Sequence, residues 1–552
     1  MAADDEGEHK DLIELIRKRS SEQMDDATRA MYEKCLRVRA ATDHTLRATK
    51  HLRKTTTALD GTEKPLKLRD YQVQMIKHLL LMTRFVVGDD CGLGKTLESI
   101  ATLAYLIEGK PGLQVLVVTK KSPVLQWESE FHRFTEGIGV VAYRGTAGQR
   151  KAARERFEAM TGPKVLIAGY RTVVQDFTDY FQAKKWGVLI LDEVTVVKTP
   201  KTGVAQVIKH ISHVNSERVW GLTATLLKNT LMEGYGIFNV VYPPLFPMAE
   251  TTFMKDYCIV QMKEIGRKRK VPTVVGYRPA DIVRFRTKIE PFYLGRPKHE
   301  VADELPPLTI QVVKVGMSAA QHAKYRDALA GVLEVGGEEK QVTKLTAVTY
   351  CQEIANHPEL IGAEGGSEKL DELLEMLTEG DLATEKVIVY TRFSKMVDIG
   401  MREMEKLKIP CARITGAEND LERKAAQDRC QDPKDPTRVI WITNAGNDAI
   451  NLQAAKALVF YDTPFSAGAF LQTLGRMIRI GSIHDRVLAI HLVCRKTVDE
   501  KVVEIGDRKM YLIEAVLGKR LKGDTGDLLS GGTIDELFEA LRRDALGVIG
   551  GS

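Results

Sequence analysis

The chain has no cysteine pair at C-x-x-C spacing and no histidine cluster at metal-ligand spacing. Its seven cysteines, Cys35, Cys91, Cys258, Cys351, Cys411, Cys430 and Cys494, lie scattered. A disulfide framework and a structural zinc site are thereby excluded, and a reducing compartment is favoured. No segment approaches the ~20 apolar residues needed to cross a bilayer, and the acidic start "MAADDEGEHK" has no apolar run behind it, which sets aside membrane and secretory classes. A large excess of either charge is also missing: 80 Lys and Arg against 74 Asp and Glu leave +6. That balance permits a polyanionic partner without requiring one. No strict internal repeat is present.

What is present is ordinary globular composition, 44% hydrophobic and 28% charged over 552 residues, a length that needs more than one core. Residues 1–65 read as a polar, helical N-terminal appendage. Over 66–242, the apolar runs "RFVVG" (84–88), "LQVLVVT" (113–119), "KVLIAGY" (164–170), "WGVLILDE" (186–193) and "RVWGLTAT" (218–225) alternate with helix-length stretches. Near-continuous apolar strands of this kind predict a parallel sheet covered on both faces. Region 243–365 breaks the rhythm with "YPPLFP" and the basic "KEIGRKRKVP", and is expected to be a mostly helical insert. The rhythm returns over 366–500 at "EKVIVYT", "TRVIWIT", "KALVFYD" and "RVLAIHLV", and 501–552 reads as a helical tail. The expected class is α/β: two parallel-sheet lobes flanking an insert, with helical appendages at either end.

Chemistry concentrates at "FVVGDDCGLGKTLESI". A short apolar strand runs into a glycine-rich turn with Gly92 and Gly94, and Lys95-Thr96 then open a helix. Backbone N–H groups and a helix N-terminus in this arrangement cradle a triphosphate, the lysine contacts its β- and γ-phosphates, and the hydroxyl reaches Mg²⁺. Asp89 stands where the strict pattern has its first glycine. Further on, "VLILDEV" ends a strand in Asp192-Glu193. The aspartate there can hold Mg²⁺, and the glutamate can orient and deprotonate the attacking water. In "LQTLGRMIRIGS", Arg476 and Arg479 are three apart and share a helix face; ion pairing at the surface is the alternative to a role in catalysis.

These residues resemble the Swi/Snf-type ATPases, double-stranded-nucleic-acid translocases within superfamily two of the helicases, and the likeness runs from about 66 to 500. "LRDYQ" resembles the adenine-reading Q motif with Gln72, and "DDCGLGKT" the family's D-E-x-G-L-G-K-T, which accounts for Asp89. "TKKSPVLQWESEF" resembles the motif whose serine and tryptophan, Ser122 and Trp127, lie on the tracking strand. "LDEVTVVKTPKTG" departs from D-E-x-H-x-x-K-N at Thr195 and Thr199, and "GLTATLLKN" is similar to L-T-G-T-P-L-Q-N. "PFYLGRPKHEVADELPP" is the most diagnostic stretch, with Gly295 in place of one arginine. "VIVYTRF", "TNAGNDAINLQ" and "QTLGRMIRIGS" match second-lobe motifs, with Ile478 in place of a histidine between the two fingers.

The resemblance implies two RecA-like lobes, ATP and Mg²⁺ as cofactors, and a DNA-dependent ATPase. Catalytic roles fall to Lys95, Glu193, Arg476 and Arg479; nucleotide contacts to Gln72, Gly92, Gly94, Lys95, Thr96 and Asp192; and the metal to Thr96 and Asp192. Contacts to nucleic acid carry over to Lys120, Ser122, Trp127, Tyr170, Arg171, Lys198, Arg392, Asn444 and Asn451, with simple packing as the alternative for Trp127. The basic run Arg267–Lys270 is either a solvated loop or a second grip on the duplex. The expected partner is double-stranded or branched DNA, engaged by a monomeric motor in replication, recombination or repair. Protein partners are expected among the replication, recombination or transcription machinery. The alternatives are a strand-separating helicase, an RNA-polymerase-displacing motor, and a nucleotide-switched scaffold. The short flanks suggest a minimal motor of bacterial, archaeal or viral setting, cytoplasmic there and nuclear in a eukaryote.

Overall fold

The structure, a computed structural model, describes residues 46–503 apart from 58–62, 91, 122, 225, 228–229, 266–268, 297–300, 302–307, 336–337, 342, 445–449, 465–466 and 479–483, with a few isolated positions before 46. Ser122, Arg479, most of the appendage and nearly all of the tail therefore lie outside the described residues. The described chain forms two compact units whose sequence boundary is Val301/Ala302.

The first unit is built on a seven-stranded sheet. Its strands lie in the order Tyr293–Leu294, Arg84–Val87, Ser216–Leu222, Trp186–Asp192, Gln114–Thr119, Lys164–Gly169 and Gly139–Tyr143, and every pairing is parallel. Phe85, Val117, Ile190, Leu191 and Trp220 are fully buried in it. Each such side chain withdrawn from water contributes about 1.5–3 kcal/mol, which is why the central strands consist of unbroken apolar runs. The helices Lys95–Gly109, Val124–Phe134, Ala147–Ala159 and Gly203–Asn215 supply the crossovers that parallel strands require.

The second unit holds a six-stranded parallel sheet ordered Leu308–Val315, Val487–Cys494, Ala457–Phe460, Val387–Tyr390, Val439–Ile442 and Cys411–Ile414. Among the described residues three apolar clusters form its core, one around Trp441, Tyr461 and Leu373, one around Tyr390, Phe460 and Met477, and one around Tyr325, Leu329 and Ile354. The fold class is thus α/β with two RecA-like parallel-sheet lobes. No helix among the described residues is long and apolar enough to cross a membrane.

Two expectations change. The stretch 243–365 is not one helical insert: through Val301 it belongs to the first unit and from Ala302 to the second. Each half gives a strand to its sheet, because "YL" extends the first sheet at one edge and the alternating "LTIQVVKV" forms an edge of the second. The first half also folds a free-standing antiparallel hairpin, Ile259–Ile265 with Arg269–Gly276, whose connecting residues are 266–268. In the appendage, Thr55–Thr57 and Glu63–Pro65 pair as an antiparallel ribbon rather than a helix, as the β-branched threonine run and the proline favour. Arg53 N–H donates to the Phe134 carbonyl at 2.8 Å and ties this segment to the first unit.

Candidate active site

The carboxyl ends of parallel strands are where α/β sheets bind ligands, and the first unit gathers its predicted residues there. The strand Arg84–Val87 leads into the glycine-rich loop, and Gly94 caps the helix Lys95–Gly109 with φ +96°. Only glycine adopts that conformation without strain, and a Cβ at Gly94 would also stand 2.5 Å from the Gln72 amide nitrogen. Thr96 lies in the helix's first turn. The Lys95 ammonium donates to the carbonyls of Asp89 at 2.6 Å and Asp90 at 3.1 Å, so the loop itself holds the lysine over its own bend.

Gln72 is buried and faces this loop. Its amide nitrogen donates to the Leu93 carbonyl at 3.1 Å, and the Tyr71 hydroxyl donates to the same oxygen at 2.9 Å. Its amide oxygen accepts from the Arg69 N–H at 3.0 Å, closing a capping box on the helix Asp70–Leu81.

Asp192 ends the strand Trp186–Asp192. Its Oδ2 accepts from the Thr119 hydroxyl at 2.7 Å and from the Trp127 indole N–H at 2.9 Å, while Oδ1 takes no hydrogen bond among the described residues. Burial, then the neighbouring Glu193, push the Asp192 carboxyl above its ordinary value, against the pull of Trp127, Thr119 and Lys95. Glu193 follows at φ +52° and ψ +54°, a left-handed conformation costing a non-glycine residue about 1–2 kcal/mol. Strain of this kind clusters at functional sites, and here it turns the glutamate out of the strand's alternation.

The donor set fits Mg²⁺. Thr96 offers a hydroxyl and Asp192 a free carboxylate oxygen, and Mg²⁺ is typically held by one or two protein oxygens with phosphate and water completing the shell. No cluster of three or more His, Cys, Asp or Glu side chains able to hold a metal occurs among the described residues, so the site is not an all-protein cage.

The expected nucleic-acid contacts divide. Trp127 is 2% exposed and Tyr170 is 4% exposed, and the Tyr170 hydroxyl donates to the Asp192 carbonyl at 3.0 Å. Both spend their polar atoms on Asp192 and present almost no surface, Trp127 supporting its carboxylate and Tyr170 its backbone carbonyl, where contact with nucleic acid was expected. Burial, then Asp192 and Glu193, raise the Tyr170 phenol well above its usual value, keeping it a neutral donor. Lys198 forms an ion pair with Glu233 at 2.6 Å. Lys120 and the exposed Arg171 remain on the rim, immediately after the adjacent strands Gln114–Thr119 and Lys164–Gly169. Arg144 follows the next strand, Gly139–Tyr143. It was not predicted, because "GVVAY" leads into no motif that marks its end.

In the second unit, Arg392 and Asn444 follow the neighbouring strands Val387–Tyr390 and Val439–Ile442. The Arg392 guanidinium donates to the Gln352 amide oxygen at 2.5 Å, and the Arg392 N–H donates to Asp462 at 3.0 Å. The Asn444 side chain accepts from the Tyr390 hydroxyl at 2.7 Å. The Asn451 N–H donates to Gln427 at 2.9 Å, and the buried Asn451 side-chain oxygen has no partner among the described residues. Arg476 lies in the helix Ala467–Met477, 7% exposed, and its Nε has no partner among the described residues. Two of the departures from the family pattern are buried, Thr195 in the 3-10 turn after Glu193 and Ile478 in the apolar cluster around Tyr390. A histidine at 478 would place a polar ring in that cluster.

Fold and loop together define a helicase-like P-loop protein. The chain belongs to the SNF2-related family: the SNF2-related domain matches residues 71–360, more than half of the chain, and the helicase conserved C-terminal domain matches 368–481. Among similar proteins, Chromodomain-helicase-DNA-binding protein 1-like of Danio rerio is 28% identical over 476 residues, covering 82% of this chain and 44% of that protein. SWI/SNF-related matrix-associated actin-dependent regulator of chromatin subfamily A member 1 of Homo sapiens is 27% identical over 510 residues, covering 87% and 46%. The chain spans about half the length of the curated relatives it matches. Among solved structures, the Sulfolobus solfataricus SWI2/SNF2 ATPase core in complex with dsDNA is matched with a TM-score of 0.39 at 18% identity, over 87% of this chain and 97% of that one.

Proposed function

We propose that this protein is an ATP-dependent translocase on double-stranded DNA. The observation that carries the reading is the gathering of Lys95, Thr96, Asp192 and Glu193 at the carboxyl ends of the first sheet's interior strands, with Asp192 oriented by Thr119 and Trp127. Lys95 exchanges its two loop carbonyls for β- and γ-phosphate oxygens, and the loop amides at the helix N-terminus take the remaining phosphate charge. Thr96 and Asp192 would hold Mg²⁺, which neutralises charge on the phosphates. Glu193 orients and deprotonates the attacking water. Arg476 and Arg479 stabilise the charge developing on the transferring phosphoryl, a role worth ~10³–10⁵ in rate in comparable enzymes.

Lys120, Arg144, Arg171, Arg392 and Asn444, all following parallel strands, are assigned to the DNA backbone. Contacts of this kind are independent of sequence and weakened by salt. The name of the chromodomain relative, a DNA-binding helicase, supports DNA as the partner. Fork remodelling, recombination and repair are the processes proposed for it.

One observation favours a second reading, strand separation: Ile259–Ile265 and Arg269–Gly276 form a two-stranded hairpin of their own, outside the seven-stranded sheet, and the basic run Arg267–Lys270 overlaps in sequence with the start of its second strand. The test is steady-state ATP hydrolysis with duplex, forked and single-stranded DNA and with RNA, at two salt concentrations, with Lys95→Ala as the blank. Stimulation by duplex or fork that weakens with salt is expected. Preference for single strands, with displacement of a labelled strand, would favour the second reading. Bound ATP with no turnover on any nucleic acid would leave a nucleotide-switched scaffold.

A further inference from the structure

The stretch Tyr293–Arg296 grips the phosphate loop. Gly88 N–H donates to the Leu294 carbonyl at 2.7 Å and Asp90 N–H to the Arg296 carbonyl at 3.1 Å, while Arg296 N–H donates to Asp89 Oδ1 at 3.0 Å. Two backbone–backbone bonds and one from a backbone N–H to a carboxylate thus span three consecutive loop residues. The Arg296 side chain adds a fork: Nε donates to Asp89 Oδ1 at 3.0 Å, and Nη2 pairs with Asp89 Oδ2 and reaches Glu98 at 3.3 Å. Its Nη1 donates to the Tyr71 carbonyl. One guanidinium therefore joins the loop, the helix that follows it and the helix bearing Gln72.

All three charged groups are deeply buried, Arg296 at 7% exposure and Asp89 and Glu98 at 0%. The Arg296 fork meets Asp89 at two points, Nε on Oδ1 and Nη2 on Oδ2, so these two form the closest ion pair, with Glu98 beside them. Removing one member of such a pair leaves an uncompensated buried charge.

Two glycines make the grip close. The Tyr293 ring lies over Gly88, where a Cβ would stand 2.2 Å from it, and a Cβ at Gly295 would stand 2.8 Å from the Gly88 carbonyl oxygen and 2.1 Å from the Tyr293 hydroxyl. Gly295, one of the departures from the family pattern, is therefore the residue that lets this segment lie against the loop. The residues it holds, Asp89 and Asp90, are the two whose carbonyls bind the Lys95 ammonium.

We propose that Arg296 is a positioning residue for the nucleotide's phosphates, acting through Asp89, and that Gly295 is required for its approach. This rests on the functional reading above, since it presumes that the loop binds a nucleoside triphosphate. The fork fixes where the carbonyls of Asp89 and Asp90 stand, and so where the lysine and the loop amides wait for phosphate oxygens. A lysine at 296 would supply a point charge without the fork.

The test uses the full chain and an equilibrium titration with a fluorescent ATP analogue and Mg²⁺, beside steady-state hydrolysis and thermal unfolding. The variants are Gly295→Ala, Arg296→Lys, Lys95→Ala and, as a purely structural control, Leu373→Ala, which lies in the core of the second unit. Gly295→Ala and Arg296→Lys are expected to bind the analogue about tenfold more weakly and to raise KM for ATP in step, with kcat within about twofold. Leu373→Ala lowers the melting temperature and leaves affinity unchanged. Gly295→Ala leaves no buried charge unpaired, so it keeps the test open if Arg296→Lys does not fold. Wild-type affinity in both variants, with Lys95→Ala weakened, would overturn the positioning role alone. No binding by the wild-type chain would overturn the functional reading and this role with it.

Discussion

Trp127→Phe separates two roles for one side chain. The indole N–H donates to Asp192 Oδ2 at 2.9 Å, beside the Thr119 hydroxyl at 2.7 Å, and the ring packs on Phe131 with centroids 6.1 Å apart. Phenylalanine keeps most of that packing and deletes the donor. A hydrogen bond to a charged group contributes about 1.5–3 kcal/mol, and each 1.4 kcal/mol is about tenfold in affinity. Losing an outer-shell partner of a metal-ligating carboxylate accordingly costs ~10–100-fold in metal affinity. The half-saturating free Mg²⁺ for ATP hydrolysis is thus expected to rise about tenfold or more, with turnover at saturating Mg²⁺ and the ratio of stimulation by duplex DNA little changed. Thr119→Val should act in the same direction. An unchanged Mg²⁺ dependence with lost DNA stimulation would refute the reasoning and return Trp127 to the nucleic acid.

Other consequences are as direct. Lys95→Ala is expected to abolish ATP turnover in a phosphate-release assay, and Glu193→Gln to retain bound ATP while hydrolysis falls by at least ~10²-fold, measured by filter binding beside turnover. Arg479→Ala should bind nucleotide and lose hydrolysis; normal hydrolysis would remove its assignment. Burial pushes the His491 imidazole down to about 4, where it bonds Thr463 at 2.8 Å and stacks on Phe460 and Phe470. Because the unfolded chain takes up that proton near 6.5 and the folded chain does not, the stability this histidine contributes is present above pH 6.5 and lost as pH falls toward 4. The loss is about 3 kcal/mol in all. Urea unfolding at pH 7 and pH 4.5 should show that dependence, and His491→Gln should flatten it.

The parts legible in sequence were those that announce themselves locally. Central strands of both sheets, buried on two faces, read as unbroken apolar runs, and Lys95-Thr96 and Asp192-Glu193 carry fixed spacings next to such runs. Edge strands did not read. Tyr293–Leu294 has two residues, Leu308–Val315 leaves Ile310 and Val312 exposed, and Cys411–Ile414 contains an arginine, so none forms a continuous run. The hairpin Ile259–Gly276 was missed because Gln261, Lys263, Glu264, the basic run Arg267–Lys270 and Pro272 break its apolar residues into pieces too short to form a continuous run. The role of Trp127 was hidden for another reason: the carboxylate it serves lies 65 positions away, and only the parallel pairing of their neighbouring strands brings the two together. The partner of Asp89 is farther still, 207 positions along the chain. Motif resemblance marked both residues as meaningful without showing that they touch.

Movement along duplex is the central claim, and triplex displacement tests it most directly. A labelled third strand is placed on a duplex, and its release is followed with ATP, with a non-hydrolysable analogue, and with Glu193→Gln. The account predicts ATP-dependent release by the wild-type chain, slowed by added salt, no release in the other two conditions, and an intact underlying duplex. Duplex-stimulated hydrolysis without release of the third strand would contradict it.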